Sequence, residues 1–377
     1  SFVRILRALL KHFVKQLKKT DPSLQNSNRG GTNNPSTNTQ GEQDPLTRNL
    51  FLVAYVWGFG GHLHYRHWPQ FDMLARQVLF ASRYKIQVPD QDSLFEHFIC
   101  TDTKMCSGET HLTDFITPKL GTYRHLVNLM LEANQPLLLA GEPGSGKTTL
   151  SNSLLRFDLP HINLAANPLM SSRELRIILK NISSQRNCKH NVCSKTKLPG
   201  LLLFVDDLHE APCDLFRKAS TALETLRQSM SKGGILTFDS YSFEYLSSGA
   251  VSYLTTTDLS RLDDPGSHGI SLRLSRLFSI FVLPSLSEDA IFSFHSPWLT
   301  MWLREMPLAC SGEEMSKCVI AATKDLYDAV CEQFQPSAQR PFFLFSHHDI
   351  QKVFSGMYLW KHDVLNAETH KDKNLPS

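Results

Sequence analysis

Apolar residues follow two rhythms along this chain. In the first nineteen positions, SFVRILRALLKHFVKQLKK, residues Phe2, Ile5, Leu6, Leu9, Leu10, Phe13 and Leu17 recur at helical spacing with bases opposite them. That spacing predicts an amphipathic helix, packed on a domain with its basic side in water. LTRNLFLVAYVWGFGGHL predicts a second, more apolar helix that closes on Gly58, Gly60 and Gly61. From about residue 113 the rhythm changes. The runs QPLLLAG (135–141), PGLLLFVDDL (199–208), GAVSYLTTT (249–257) and LFSIFVLP (277–284) are short and continuously apolar, which predicts four buried strands. KTTLSNSLLRF and CDLFRKASTALETLRQSM lie between them with helical spacing. Buried strands alternating with helices predict a parallel sheet covered on both faces, an α/β fold. Beyond Pro284 the pattern is helical to about Lys361, which predicts a small all-α subdomain.

Residues 20–46 interrupt this order. They are almost entirely Asn, Ser, Thr, Gly, Gln and Pro, too polar to offset the entropy of ordering, and are expected to form a disordered insert. The remaining composition excludes several functions. A net charge of +3 exerts no general pull on nucleic acid or membrane, and no stripe of bases and stacking aromatics accompanies it. No apolar run approaches the roughly 20 residues that span a bilayer. The eight cysteines are scattered and are expected to be reduced thiols. CKHNVC supplies one Cys pair and one His, too few for a metal cluster, and the remaining histidines have no nucleophile arranged beside them. The chain starts without methionine inside a helical pattern and is expected to be a piece of something longer.

The chemistry concentrates where the first strand ends. Gly141 to Thr148, GEPGSGKT, fits the phosphate-cradling loop G-x-x-x-x-G-K-S/T and lies between a strand and a helix, as that loop requires. Gly141, Glu142, Pro143, Gly144, Ser145, Gly146, Lys147, Thr148 and Thr149 are therefore candidate ligands of ATP or ADP. Glycines let backbone N–H groups turn inwards, and the helix N-terminus adds its positive dipole end. Lys147 would reach the terminal phosphates. The Thr148 hydroxyl and Asp206, at the end of the second apolar strand, would hold Mg²⁺, and Asp207 would orient or deprotonate the attacking water. The bland alternative for Asp206 and Asp207 is that they cap the next helix.

LETLRQSMSKGG and DPGSHGISLRLSRLF follow the Asp-Asp-Leu element and resemble the third AAA+ module of dynein heavy chains. Leu226, Arg227, Gln228, Gly233, Gly234, Arg273, Arg276 and Phe278 carry the match. VWGFGGHL with FDML looks like the end of the family's second module, and FQPSAQRPFFLFSHHDIQKVFSGM like the close of the third module's small domain. The resemblance implies a P-loop AAA+ large subdomain at 113–284, a helical small subdomain at 285–361 and a linker to the next module at 362–377. Residues 1–112 would be the end of the preceding module and a linker. It further implies a regulatory ATP site in microtubule-based movement, in a cilium or flagellar axoneme. Partners would be neighbouring AAA+ modules, dynein intermediate and light intermediate chains and, indirectly, microtubules.

Four departures suggest a divergent member in which nucleotide is bound and hydrolysis, if any, is slow. Asp207 stands where hydrolysing sites usually have Glu. No asparagine follows YLTTT for the strand that senses the terminal phosphate, so Thr256 or Thr257 is expected to stand in. Leu277 replaces a histidine. His348 occupies the place of a phosphate-contacting arginine, and a mostly neutral imidazole offers less charge to a transition state. Arg273 would be the finger that reaches a neighbouring module's nucleotide, unless it makes only a surface salt bridge. A ring module that holds nucleotide permanently, and a midasin-like assembly ATPase, remain open.

Overall fold

A computed structural model describes residues 3–11, 52–81, 93–95, 118–155, 160–189, 201–213, 220–236, 242–246, 251–259, 270–285, 288–304, 312–335, 337, 339–340 and 342–359. The insert at 20–46, the linker at 362–377 and His190 and Cys193 lie outside them. The chain divides into two units, the first holding 1–113, 118–142 and 146–284, the second 114–117, 143–145 and 285–377.

The first unit is organised by a parallel sheet of five strands in the order β2-β3-β6-β1-β7. These are β1 (Leu137–Gly141), β2 (His161–Ala165), β3 (Leu201–Asp206), β6 (Val251–Asp258) and β7 (Ser279–Leu283). A separate antiparallel pair joins β4 (Gly234–Leu236) to β5 (Phe243–Tyr245). Four of the five parallel strands are the apolar runs expected from sequence. The fifth, β2, was not expected. It forms an edge, and its residues alternate between exposed and half-buried, so it carries no continuous apolar signal.

Side chains of one strand point alternately to opposite faces, and two cores form accordingly. On one face Leu137, Leu139, Leu202, Phe204, Leu254 and Phe281 pack with Val127, Met130 and Leu150. On the other, Leu138, Leu203, Val205 and Tyr253 pack with Leu175, Leu179, Leu226 and Leu274. The covering helices are α1 (3–11), α2 (Trp68–Ala81), α3 (Pro118–Glu132), α4 (Lys147–Leu154), α5 (Ser172–Lys189), α6 (Thr221–Lys232) and α7 (Leu272–Ser275).

Residues from the start of the chain belong to the first core. Ile5, Ala8 and Leu9 of α1 and Leu52, Val53, Ala54, Val56 and Trp57 are buried in it, and Tyr55 packs against it. Trp57, 1% exposed, meets Trp68, Phe95, Tyr123 and Phe281 edge-on at centroid distances of 5.3–6.3 Å. It sits in a π-helical turn, Val56–Gly60, in place of the regular helix expected there. The turn lets the chain pass very close to its own backbone. A Cβ on Gly61 would lie 2.5 Å from the Trp57 carbonyl oxygen, so glycine is required. The Gly61 carbonyl then accepts a hydrogen bond from Val282 N of β7 (2.9 Å).

The second unit contains α8 (Glu288–Arg304), α9 (Gly312–Gln333) and α10 (His347–Tyr358) around Ile291, Leu299, Leu303, Ile320, Ile350 and Phe354. Buried His295 lies 4.4 Å, centroid to centroid, from the Phe354 ring. Burial lowers its pKa to about 4.

Trp57→Ala should destabilise the first unit by about 3–5 kcal/mol, the cost of deleting a buried aromatic. Trp57→Phe should cost much less, since the Trp57 indole nitrogen has no hydrogen-bond partner among the described residues to lose. Denaturant unfolding of both variants checks this. The neutral His295 also makes a pH prediction. Between its unfolded pKa near 6.5 and its folded value of about 4, only the unfolded chain takes up the proton, so the helical unit loses stability as pH falls through that window. His295→Leu should flatten that loss in thermal melts recorded from pH 7 to pH 4.

Candidate nucleotide site

Carboxyl ends of three adjacent strands, β3, β6 and β1, come together along one edge of the sheet. At the end of β1 the chain turns through the glycine loop into α4. Gly144 and Gly146 hold left-handed φ values of 78° and 87°, which let the loop fold back on itself. Gly146 caps α4, so the first helical amides face the loop.

Lys147 lies in the first turn of α4 and is 7% exposed. Its Nζ donates to the carbonyl oxygens of Gly141 and Glu142, both at 2.8 Å. The third N–H donor of the ammonium meets no acceptor among the described residues. Burial lowers the lysine pKa, and the charges of Asp258, Asp207, Asp206 and Glu142 oppose that shift. A buried ammonium with one donor to spare, at the head of a helix, fits a phosphate.

Across from it, Asp206 ends β3. Its carboxylate accepts from the exposed Thr148 hydroxyl (3.3 and 3.2 Å) and from the buried Thr256 hydroxyl of β6. The Thr256 oxygen in turn accepts from the Asp207 amide (2.9 Å). One buried hydroxyl thus orients Asp206 and fixes the backbone of Asp207, which adopts left-handed φ 53° and ψ 51°. Such a conformation is uncommon outside glycine, and Asp tolerates it better than most residues. Burial, then the neighbouring Asp206, raise the Asp207 pKa, while His209 and Lys147 oppose the rise. Thr148 and Asp206 have the hard oxygen ligands that Mg²⁺ takes beside phosphate.

Several residues here gave little sign of themselves in the sequence. Thr256 faces Asp206, and Thr257 turns to the Asp258 carbonyl oxygen (3.4 Å), so neither points its hydroxyl at Lys147. The residue that β6 brings beside the loop is Asp258, paired in register with Gly141. His209, in the 3-10 turn Leu208–Glu210, accepts from the Asp258 amide through Nδ1 (3.2 Å) and sets Nε2 at 3.5 Å from Glu210. Glu142 is met by the Tyr65 hydroxyl (3.1 Å), from the histidine-rich stretch that looked like a wet helix end. Thr149 is exposed next to Thr148. Only pairing across the sheet reveals the Thr256–Asp206 and Asp258–His209 contacts, because they join segments about 50 residues apart.

Arg273 is exposed in the first turn of α7, which the Ser271 hydroxyl caps. Its charge helps hold the Glu224 carboxyl below its ordinary pKa, after the Arg227 hydrogen bond and charge. Arg4 of α1 steadies the far end by donating to the carbonyl oxygens of Leu277 (2.6 Å) and Arg276 (2.9 Å). In the second unit, His348 is exposed at the start of α10. Its neighbour His347 stacks on Tyr327, and the His347 amide lies 3.2 Å from where a Cβ on Gly144 would be. Pro143 and the buried Ser145 flank that glycine.

Comparison with known proteins agrees with this geometry. Residues 110–286 match the family model described as P-loop containing dynein motor region, and residues 1–106 the dynein heavy chain AAA lid domain. Over these residues the chain is similar to dynein heavy chains. It is 28% identical over 394 residues to mouse dynein heavy chain domain-containing protein 1, covering 95% of this chain and 8% of that protein. The human counterpart matches at 28% over 395 residues, with the same coverage. The ciliary dynein beta chain of the sea urchin Heliocidaris crassispina is 23% identical over 340 residues, covering 84% of this chain and 7% of its own. The chain thus spans less than a tenth of each of these relatives. Its five-stranded parallel sheet with a glycine loop between β1 and α4 is a P-loop AAA+ α/β fold.

Asp207 makes a pH prediction. A carboxyl whose folded pKa is raised holds its proton more tightly in the folded state, so stability falls as pH climbs above the ordinary value of 3.8. Asp207→Asn keeps a residue that tolerates left-handed backbone and removes the charge. The variant should melt above the wild type at pH 7 in the absence of nucleotide, with the gap closing below pH 4.

Proposed function

We propose that this chain is an ATP-binding AAA+ module of a dynein-heavy-chain-like protein, with a regulatory nucleotide site and slow hydrolysis. The observation that carries this is buried Lys147, with a donor to spare, opposite the Thr148–Asp206 pair. Gly141, Glu142, Pro143, Gly144, Ser145, Gly146, Lys147, Thr148 and Thr149 form the phosphate cradle. Thr148 and Asp206 would hold Mg²⁺, which would supply charge neutralisation when bound. Asp207 accepts the proton of the attacking water or orients it. Its shorter reach than Glu suits slow turnover.

The segments that resemble the family's third module support that place in the ring, with 113–284 as large and 285–361 as small subdomain. By that resemblance His348 takes the position of the family's arginine, and Arg273 serves the neighbouring module. Sequence likeness to ciliary and axonemal heavy chains supports work in microtubule-based movement at an axoneme. Partners are then the adjoining modules, intermediate and light intermediate chains and, at a distance, microtubules.

Calorimetry with ATP and ADP in Mg²⁺ tests the core of this proposal. Lys147→Ala should weaken binding roughly 10–100-fold, the worth of a charged hydrogen bond. A folded wild-type chain that binds neither nucleotide would make the module architecture alone.

A further inference from the structure

Glutamate is an awkward residue to find second in a phosphate-binding loop. Glu142 follows Gly141 directly, and its carbonyl oxygen accepts from Lys147 Nζ (2.8 Å), so its backbone belongs to the loop. Its carboxylate has the sign of a phosphate, and like charges a few ångströms apart repel where little water separates them. A Glu142 side chain free to swing over the loop would oppose binding. It is held instead. The Tyr65 hydroxyl donates to Glu142 Oε1 (3.1 Å), which is the hydrogen bond this carboxylate accepts among the described residues.

The turn that carries Tyr65 is itself fixed from several sides. The Gly61 carbonyl oxygen accepts from Val282 N of β7 (2.9 Å), and the His64 carbonyl oxygen accepts from His67 N (2.9 Å). Trp68 Nε1 donates to the Leu63 carbonyl oxygen (3.2 Å). The His64 ring stacks on that of Tyr65 at a centroid distance of 4.4 Å. Its Nδ1 accepts from the Arg66 amide (3.3 Å), which leaves the proton of the neutral imidazole to Nε2, 3.9 Å from Glu142 Oε1. Tyr65 and His64 thus both turn a proton towards the carboxylate. Strand order gives the tether a direction. Asp206 and Thr256 lie on β3 and β6, to one side of β1, whereas the Tyr65 turn is bonded to β7 on the other side. Glu142 is therefore anchored on the side away from the Thr148–Asp206 pair.

We propose that Tyr65 is a positioning residue of the nucleotide site, which holds the Glu142 carboxylate back from the incoming phosphates. The inference rests on the nucleotide-binding function proposed above and deepens it. Tyr65 lies in the region similar to the AAA lid domain and Glu142 in the region similar to the P-loop motor domain. The lid-like segment therefore takes part in setting the affinity of the loop for nucleotide.

The test is calorimetric titration of ADP, and of the non-hydrolysable β,γ-imido analogue of ATP, in Mg²⁺ on the whole 377-residue chain. Tyr65→Phe keeps the ring and removes the donor. It should weaken both nucleotides by about 3- to 10-fold, the net worth of a hydrogen bond. In a Glu142→Ala background the same substitution should leave affinity where it was, because the charge it would release is gone. An effect of Tyr65→Phe that persists in that background overturns the proposal, since the hydroxyl would then act through the fold and not through Glu142. So does a Tyr65→Phe chain that binds as the wild type does. A folded Glu142→Ala chain that binds no nucleotide also overturns it, since the tether gives that carboxylate only a harmful part. Tyr65→Met and Glu142→Ser remove the same donor and the same carboxylate, and replace any variant that does not fold. If the folded wild type binds neither nucleotide, the nucleotide site itself is refuted, an outcome distinct from the failure of the tether.

Discussion

Everything at the site depends on β6 lying in parallel register between β1 and β3. Through β1 it sets Asp258 beside Gly141, and through β3 it sets Thr255 beside Val205, one residue short of Asp206. Slipping either pairing by one residue would turn each side chain to the opposite face. The glycine loop, Asp206 and the strand between them would then no longer converge.

That convergence requires polar groups in a buried strand. Thr255, Thr256 and Thr257 are all at most 3% exposed. An unsatisfied buried hydroxyl costs about 1–3 kcal/mol, so each must find a partner. Thr255 donates to the Leu137 carbonyl oxygen and helps join β6 to β1, while Thr257 donates to the Asp258 carbonyl oxygen. Thr256 alone reaches across to β3, donating to Asp206 and accepting from the Asp207 amide. Three consecutive threonines thus do three different things: two satisfy backbone carbonyls, and the middle one positions the acids.

The lysine shows the opposite balance. Burial of an ammonium is unfavourable by itself, and two carbonyl oxygens and four carboxylates compensate it. A site so rich in negative charge around one cation is poised to receive phosphate only where metal or protons relieve the excess.

Much of this was legible from the chain alone. Four apolar runs gave four parallel strands because continuous hydrophobicity is the signature of a strand buried on both faces. GEPGSGKT named its own loop because only glycine tolerates the backbone there. Edge strand β2 stayed hidden because one of its sides is exposed, and an alternating pattern five residues long is weak evidence for a strand. The π turn at Val56–Gly60 was hidden too, since it follows from how closely Trp57 approaches Gly61. Local pattern determined which segments are strands and helices and where phosphate chemistry could sit. Tertiary structure alone decided which acid stands beside Lys147, because pairing of β6 with β1 brings together residues more than a hundred positions apart.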